Sequence, residues 1–194
     1  MEWRWKYFSP AEVLSPDGQK MLRRNNLKLQ GFALDNLEKF REFVGKPIYC
    51  NHKTLKYRGY RSAKENRRIK GVPDSQHCQG IAFDLNCYSI PLSVFAVYAL
   101  LYTYREMSAH KGSPEHQGFR GLGIYPKKNF IHVDFRTLPF EKENYVIVFN
   151  QDTKIAGTNK GPSTILDMKQ LNKKPEELLE LLKKKLYLPR KWSM

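Results

Sequence analysis

Apolar residues recur at helical spacing in three stretches of the chain. Residues 33–44 carry leucine or phenylalanine every three or four positions, and Gly45 follows them as a typical C-terminal stop. Residues 89–109 and 175–186 show the same spacing, and a proline lies near the start of each. Residues 9–12 read Ser-Pro-Ala-Glu, which is a capping box with proline at the first helical position. The pattern predicts three helices and a short fourth one.

Other stretches favour extended structure. Strands are predicted at residues 47–50, 80–85, 130–135 and 145–149. In 80–85, Phe83 points to one face and Asp84 to the other. Residues 63–72 are interpreted as a loop or short helix, and 153–164 as an exposed loop. This mixture predicts a single α+β domain spanning residues 1–194, with a small antiparallel sheet and flanking helices.

The last predicted helix, 175–186, begins with glutamates and ends with lysines, which suits the helix dipole. Its leucines form one apolar face. Such a basic amphipathic helix can lie on a membrane surface, but we expect it to dock on the domain instead.

Charge adds information about partners. The 194 residues include 34 Lys plus Arg and 19 Asp plus Glu, a net charge of +15. Such a surface attracts nucleic acid, anionic membranes or anionic cell-wall polymers. No nucleic-acid-binding motif accompanies the charge, so specific nucleic-acid binding ranks last. The apolar run 90–104 is too short to span a bilayer, and the N-terminus lacks the apolar core of a signal peptide. The sequence therefore predicts a chain without a transmembrane segment that is cytoplasmic as synthesised.

Three cysteines, Cys50, Cys78 and Cys87, are an odd number without a Cys-x-x-Cys pair. This argues against a disulfide framework or a thiolate zinc site and leaves room for one bridge at most.

Two segments carry candidate metal chemistry. Residues 75–84 place His77 and Asp84 seven positions apart, with Gly80 between them, and a predicted strand supplies His132. An aspartate in an apolar strand is costly unless it is paired or bound to a cation. Two histidines and one carboxylate are a ligand set of catalytic zinc sites. If the two segments meet, the chain is a metal-dependent hydrolase.

These residues also match a known family. Residues 75–84 fit the pattern S-x-H-x-x-G-x-A-x-D, Tyr60-Arg61-Ser62 is followed by Asn66, and Gly-Leu-Gly-Ile-Tyr-Pro at 121–126 leads to Ile-His-Val-Asp at 131–134. The chain thereby resembles the zinc D-alanyl-D-alanine carboxypeptidases and the related L-alanyl-D-glutamate endopeptidases, whose fold is shared with the hedgehog signalling domain. The resemblance covers about residues 8–136. Residues 137–194, read as a strand, a loop and the basic helix, match nothing in it.

The resemblance implies roles for particular residues. It implies that His77, Asp84 and His132 bind Zn²⁺, which would lower the pKa of a bound water to about 7. Arg61 resembles the arginine that receives a substrate carboxylate, a role that suits the planar guanidinium fork. The alternative for Arg61 is a surface arginine in a basic loop. Ser75 is expected to hold the substrate or a ligand in place, or to cap its loop.

The chain departs from the family pattern at one position. Many relatives carry a glutamate three residues before the last histidine as the general base, and here that residue is Asn129. Asp134 lies on the same predicted strand face as His132. It is either the proton acceptor or a partner that orients a ligand. Glu115 and, less favoured, His116 are further candidates.

The leading hypothesis is a zinc peptidase that hydrolyses peptidoglycan stem peptides, as a D-Ala-D-Ala carboxypeptidase or an L-Ala-D-Glu endopeptidase. Without an export signal, such an enzyme would act on the cell wall after release or delivery, or within a virion, as in a phage lysis or virion protein or a bacterial enzyme of prophage descent. The alternative, motivated by Asn129, is a non-catalytic zinc-binding structural or virion module of the same fold.

Overall fold

In a computed structural model, the chain divides into two compact units, Met1–Leu85 and Asn86–Met194. The structure describes residues 3–24, 27–51, 56–109, 118–136, 145–150, 152 and 161–194. Helices and strands are mixed along the chain, which confirms the predicted α+β class.

The first unit is built mainly from helices. Its elements are α1 (Pro10–Val13), α2 (Pro16–Arg23), α3 (Gly31–Val44), α4 (Ala63–Arg68) and strand β1 (Ala82–Leu85). The capping box of α1 is present, since the Ser9 N–H donates to the Glu12 carboxylate at 2.8 Å. Helix α3 ends at Gly45, whose φ of 65° is the left-handed conformation that glycine adopts readily. Helix α4 confirms the short-helix interpretation of residues 63–72.

The strand predicted at residues 47–50 is wrong. Only Tyr49 forms a single β-bridge there. The carbonyl of Ile48 accepts a hydrogen bond from the Arg41 side chain at 3.4 Å, although Arg41 belongs to α3. Just beyond the segment, the Asn51 N–H donates to the carbonyl of Glu12 in α1 at 2.7 Å. The cited hydrogen bonds thus join this segment and the adjoining Asn51 to α3 and α1, and the Tyr49 bridge is not extended into a strand.

The second unit combines helices with a sheet. Its elements are α5 (Leu92–Ala109), β2 (Gly121–Tyr125), a 3-10 helix (Pro126–Lys128), β3 (Phe130–Asp134), β4 (Tyr145–Asn150), β5 (Ser163–Asp167), α6 (Met168–Leu171) and α7 (Pro175–Leu186). Within this unit the strand order is β3-β2-β4-β5.

One strand pairing departs from the expected antiparallel sheet. β2 pairs antiparallel with β3, and β4 with β5, but β2 and β4 are parallel. Because β3 ends with Asp134 opposite Gly121, the first residue of β2, the chain has returned to the end at which β2 begins. β4 starts near that end and runs alongside β2, with Ile147 opposite Gly121.

Helix α5 packs against α6, α7 and strands β2 and β3. The docking of the last helix is confirmed, because its apolar face is buried through Leu178, Leu179, Leu182 and Leu186. Strand β5 begins at Ser163, within the segment predicted as a loop, while residues 153–160 of that segment lie outside the described residues. Across the described ranges, every helix is too short or too polar to cross a membrane.

All three cysteines are free. Cys50 is fully buried, and this burial raises the pKa of its thiol well above the ordinary value. Cys78 is partly exposed. The single bridge for which the sequence left room is therefore not formed.

Candidate metal centre

Residues 75–81 form overlapping turns directly before β1. The Cys78 N–H donates to the Ser75 carbonyl at 2.9 Å, and the Gly80 N–H donates to the His77 carbonyl at 3.3 Å. These bonds fold the segment around His77 into a compact turn, which fixes the backbone of His77 just before the strand that carries Asp84.

Gly80 lies against the start of helix α3. Its carbonyl accepts from the Gln30 N–H at 3.2 Å, and its φ is +74°. A Cβ at this position would lie 2.5 Å from the Lys28 carbonyl oxygen and 2.6 Å from the Leu29 Cα. Both the close approach and the left-handed backbone therefore require glycine at this point of the motif.

The imidazole of His77 is held in one tautomer. Its Nδ1 lies 3.0 Å from the backbone carbonyl of Gly59. A carbonyl can only accept a hydrogen bond, so Nδ1 carries the proton and donates. The lone pair of the neutral ring is consequently on Nε2. The side chain is only 5% exposed, and its Nε2 lies 3.3 Å from Oδ1 of Asp84.

The His77–Asp84 pair has the chemistry of a cation site. A lone pair on Nε2 facing a carboxylate oxygen is favourable only with a proton or a cation between the two atoms. Two ligands that each lie about 2.0–2.1 Å from a tetrahedral zinc ion are about 3.3 Å apart, which agrees with the observed separation. The Asp84 N–H donates to the Arg58 carbonyl at 2.7 Å, which anchors the strand beside residues 58–61. These donors fit a metal ligand pair.

Arg61 is buried rather than on the surface, with 9% exposure. Its guanidinium donates through Nε to Oδ1 of Asn66 at 2.9 Å and through Nη1 to the Tyr57 carbonyl at 2.6 Å. A third bond joins Nη2 to Oγ of Ser75 at 3.2 Å. Ser75 thus contacts Arg61 directly, and the guanidinium is held in one orientation by all three of its nitrogens.

His132 lies in the middle of β3, opposite Gly123 of β2. Its Nε2 lies 3.1 Å from Oδ2 of Asp134, and its side chain is 12% exposed. A carboxylate accepts, so Nε2 carries the proton of the neutral ring and Nδ1 holds the lone pair. His132 and His77 therefore use opposite ring nitrogens for their supporting hydrogen bonds.

Asp134 is fully buried and ionised. The Arg136 guanidinium donates to both of its carboxylate oxygens, through Nε to Oδ1 at 2.7 Å and through Nη2 to Oδ2. Burial alone would raise the pKa of Asp134, but the hydrogen bonds and charges of Arg136 and His132 outweigh burial and hold that pKa well below its usual range. A carboxylate stabilised this strongly in its ionised form is a poor proton acceptor.

Asn129 is exposed and ends the 3-10 helix that joins β2 to β3. Its φ of 53° is left-handed, a conformation that asparagine tolerates better than most residues. Its carbonyl accepts a hydrogen bond from the Asn86 side chain. The residue at the position of the expected acid thus has a turn-forming role.

Three pairs of predicted site residues are in contact, and these are His77–Asp84, Arg61–Ser75 and His132–Asp134. The candidates Glu115 and His116 lie outside the described residues. Sequence reasoning missed the Gly59 carbonyl and Arg136. A backbone carbonyl has no side-chain signature, but Arg136 has one, because it follows Asp134 by two residues and same-face neighbours in a strand recur with that spacing.

Comparison with known proteins identifies the family. The family model described as Peptidase M15 matches residues 6–134, more than half of the chain. No curated protein gives a match. The matched region contains all the predicted ligands, Arg61 and Ser75, and it agrees with the resemblance found in the motifs. The chain therefore belongs to the peptidase M15 family and is a metallopeptidase by family.

Proposed function

We propose that this protein is a zinc-dependent peptidase of peptidoglycan stem peptides, and that His77, Asp84 and His132 bind one zinc ion. The observation that carries the proposal is the His77–Asp84 pair, whose facing donor atoms lie 3.3 Å apart inside the region matched by the family model. Two imidazoles and one carboxylate form a set that leaves a fourth zinc position for water.

Zinc, when bound, lowers the pKa of its water to about 7 and polarises the scissile carbonyl. The chain's own residues would prepare this chemistry. The Gly59 carbonyl orients His77 so that Nε2 faces Asp84, and the hydrogen bond that the Asp84 N–H donates to the Arg58 carbonyl fixes the backbone of Asp84. Such supporting bonds raise the basicity of a ligand and lower the cost of organising the site.

Asp134 has two candidate roles, proton acceptor and orienting partner of His132. Its burial, its bidentate contact with Arg136 and its low pKa favour the orienting role. We therefore place the proton acceptor of the reaction elsewhere. Glu115 is the candidate to test first, and His116 the second.

Arg61 is proposed to receive the substrate carboxylate. Its burial and its three hydrogen bonds to Asn66, Tyr57 and Ser75 give a guanidinium whose direction is set before substrate arrives. Pre-organised donors lose little entropy on binding. The carboxylate would be the free C-terminus for a carboxypeptidase, or the free carboxylate of D-glutamate for an endopeptidase. Ser75 would support Arg61 through their hydrogen bond.

The test of this function is a metal analysis combined with digestion of purified peptidoglycan. We expect one zinc per chain and cleavage products whose masses identify the bond that is broken. A chelator should abolish cleavage, and added zinc should restore it. Bound zinc without any cleaved cell-wall peptide would favour the non-catalytic alternative. A protein that takes up no zinc would contradict the proposal.

Replacing Arg61 tests carboxylate recognition. Arg61→Lys keeps a positive charge but loses the planar fork, so we expect KM for a peptide with a free carboxylate to rise about 10- to 100-fold, since a charge-assisted hydrogen bond contributes about 1.5–3 kcal/mol. The same peptide with that carboxylate amidated should respond much less. Arg67→Lys, on the exposed part of α4, is the matched control and should leave KM unchanged. Equal losses for both peptides would indicate that Arg61 is structural.

The net charge of +15 fits this substrate, because many cell walls carry anionic polymers. We further propose that the protein reaches the wall after release or delivery, as a phage lysis or virion protein does.

A further inference from the structure

A chain of contacts in the second unit leads from Arg136 to His132. Arg136 donates hydrogen bonds to both carboxylate oxygens of the buried Asp134, and Asp134 accepts a hydrogen bond from Nε2 of His132. The Phe149 ring lies near both ends of this series of contacts: its centroid is 6.0 Å from that of His132 and 5.9 Å from the Arg136 guanidinium carbon. Arg136, Asp134 and His132 are thus joined by hydrogen bonds in that order, and the Phe149 ring lies beside the first and the last of them.

Two glycines of β2 make room for these contacts. A Cβ on Gly121 would lie 2.6 Å from Cγ of Asp134, and a Cβ on Gly123 would lie 2.8 Å from Cζ of Phe149. Both distances are far below a van der Waals contact. Glycine weakens a strand, so its use twice in five residues of β2 has a local cost. The space it leaves is filled by the Asp134 carboxylate and the Phe149 ring.

We propose that Arg136 is a positioning residue that acts through Asp134 to fix the imidazole of His132, so that Nε2 is committed to Asp134 and Nδ1 is the atom offered to the metal. Gly121 and Gly123 preserve the space for this arrangement. The proposal rests on the proposed function for the identity of the metal, but the tautomer of His132 is a property of the chain alone.

The physical reason lies in the burial of Asp134. A fully buried carboxylate needs a cationic partner, because an unpaired buried charge is strongly disfavoured. Arg136 supplies that partner in a bidentate geometry, which also fixes the carboxylate plane. The Asp134 carboxylate, held by Arg136 with Oδ2 3.1 Å from Nε2 of His132, then selects the Nε2–H form of His132 over the Nδ1–H form. Without Arg136, the carboxylate loses both its charge partner and its orientation.

The test compares Arg136→Gln with the matched control Arg105→Gln. Arg105 also donates to a buried neighbouring carboxylate, Glu106, at 3.2 and 2.9 Å, but belongs to α5 and is outside the chain of contacts to His132. Two quantities are measured: the dissociation constant for zinc, by competition with a chromophoric chelator, and the His132 tautomer, by long-range ¹H–¹⁵N NMR on metal-free protein.

We expect Arg136→Gln to weaken zinc binding about 10- to 100-fold, as the loss of a supporting partner of a metal ligand does. The wild-type spectrum should show His132 protonated at Nε2, and the variant should lose this preference. Arg136→Lys, which keeps the charge without the fork, should restore part of both properties. Arg105→Gln should change neither. An unchanged tautomer and zinc affinity in Arg136→Gln would overturn the proposal.

Gly121→Ala offers a second route to the same result. Its methyl group would displace the Asp134 carboxylate without substituting any charged residue. The variant should therefore reproduce the tautomer loss of Arg136→Gln, with circular dichroism used to verify its fold. Retention of the Nε2–H form in a folded Gly121→Ala protein would contradict the role given to the glycine.

Failure of this inference is separable from failure of the proposed function. A wild-type protein that binds no zinc would contradict the zinc proposal, yet its NMR spectrum would still show whether Arg136 controls the His132 tautomer. A wild-type protein that binds zinc as tightly as Arg136→Gln, with the same tautomer, would contradict the positioning role alone.

Discussion

His77→Ala is expected to remove zinc from the protein and to lower its peptidase rate on the order of 10³-fold. The change deletes one of three proposed ligands and leaves Asp84 without the ring nitrogen that lies 3.3 Å from it. Metal catalysis contributes several kcal/mol to transition-state stabilisation, and each 1.36 kcal/mol corresponds to a tenfold change in rate. Zinc content after dialysis and mass-spectrometric cleavage rates measure the two effects.

Cys78→Ala is the matched control. Cys78 is the next residue, belongs to the same turns and contributes its backbone rather than its side chain to them. It should keep both zinc and activity. One zinc retained per chain in His77→Ala would show that the ligand assignment is wrong. Loss of zinc at an unchanged cleavage rate would separate the metal from hydrolysis.

Gly80→Ala is expected to lower the free energy of unfolding by about 3 kcal/mol or more. A left-handed backbone alone costs a non-glycine residue about 1–3 kcal/mol. The added Cβ also meets the Lys28 carbonyl and the Leu29 Cα at 2.5 and 2.6 Å, and backbone atoms cannot move aside as a side chain does. Urea denaturation followed by circular dichroism gives the free energy of unfolding.

The control for this variant is Gly31→Ala. Gly31 is the first residue of α3, and an added Cβ would lie no closer than 3.9 Å to the Trp5 ring. Alanine favours helix over glycine by about 1 kcal/mol at interior positions and by less at an end, so this variant should be neutral or slightly more stable. A Gly80→Ala protein as stable as the wild type would show that residues 28–30 do not approach Gly80 closely.

The parts of the fold predicted from sequence are those with a strong local signal. Helices α3, α5 and α7 have sustained apolar periodicity, and α7 matches its predicted bounds of 175–186. The strand predicted at 47–50 failed because its backbone bonds to the neighbouring helical segments, including a bond from the Arg41 side chain, and no local pattern reports such a contact. Helix α2 was missed because polar residues dominate it.

In the candidate site, too, the sequence predicted the residues but not the contacts between them. The family motif includes Gly80, and the structure adds the physical reason, a close backbone approach that the sequence alone does not reveal. Arg61 was expected from its flanking residues, but its burial and its bond to Ser75 depend on packing. The partner of His77 is the backbone carbonyl of Gly59, and the partner of Asp134 is Arg136, two residues further along the chain. The residue types indicated a metal site, but the orientation of the side chains could be read only from the folded structure.

The position of His132 depends on the number of residues in the turn between β2 and β3 as well as on their identity. Only residues 126–129 join Tyr125 to Phe130, and the left-handed Asn129 closes the turn. Side chains of a strand alternate between faces, so inserting or deleting one residue in this turn would shift the strand pairing and turn His132 to the opposite face. Such a change would destroy the candidate ligand without altering any ligand residue. Members of the family that keep this chemistry should therefore accept substitutions in this turn far more readily than insertions or deletions.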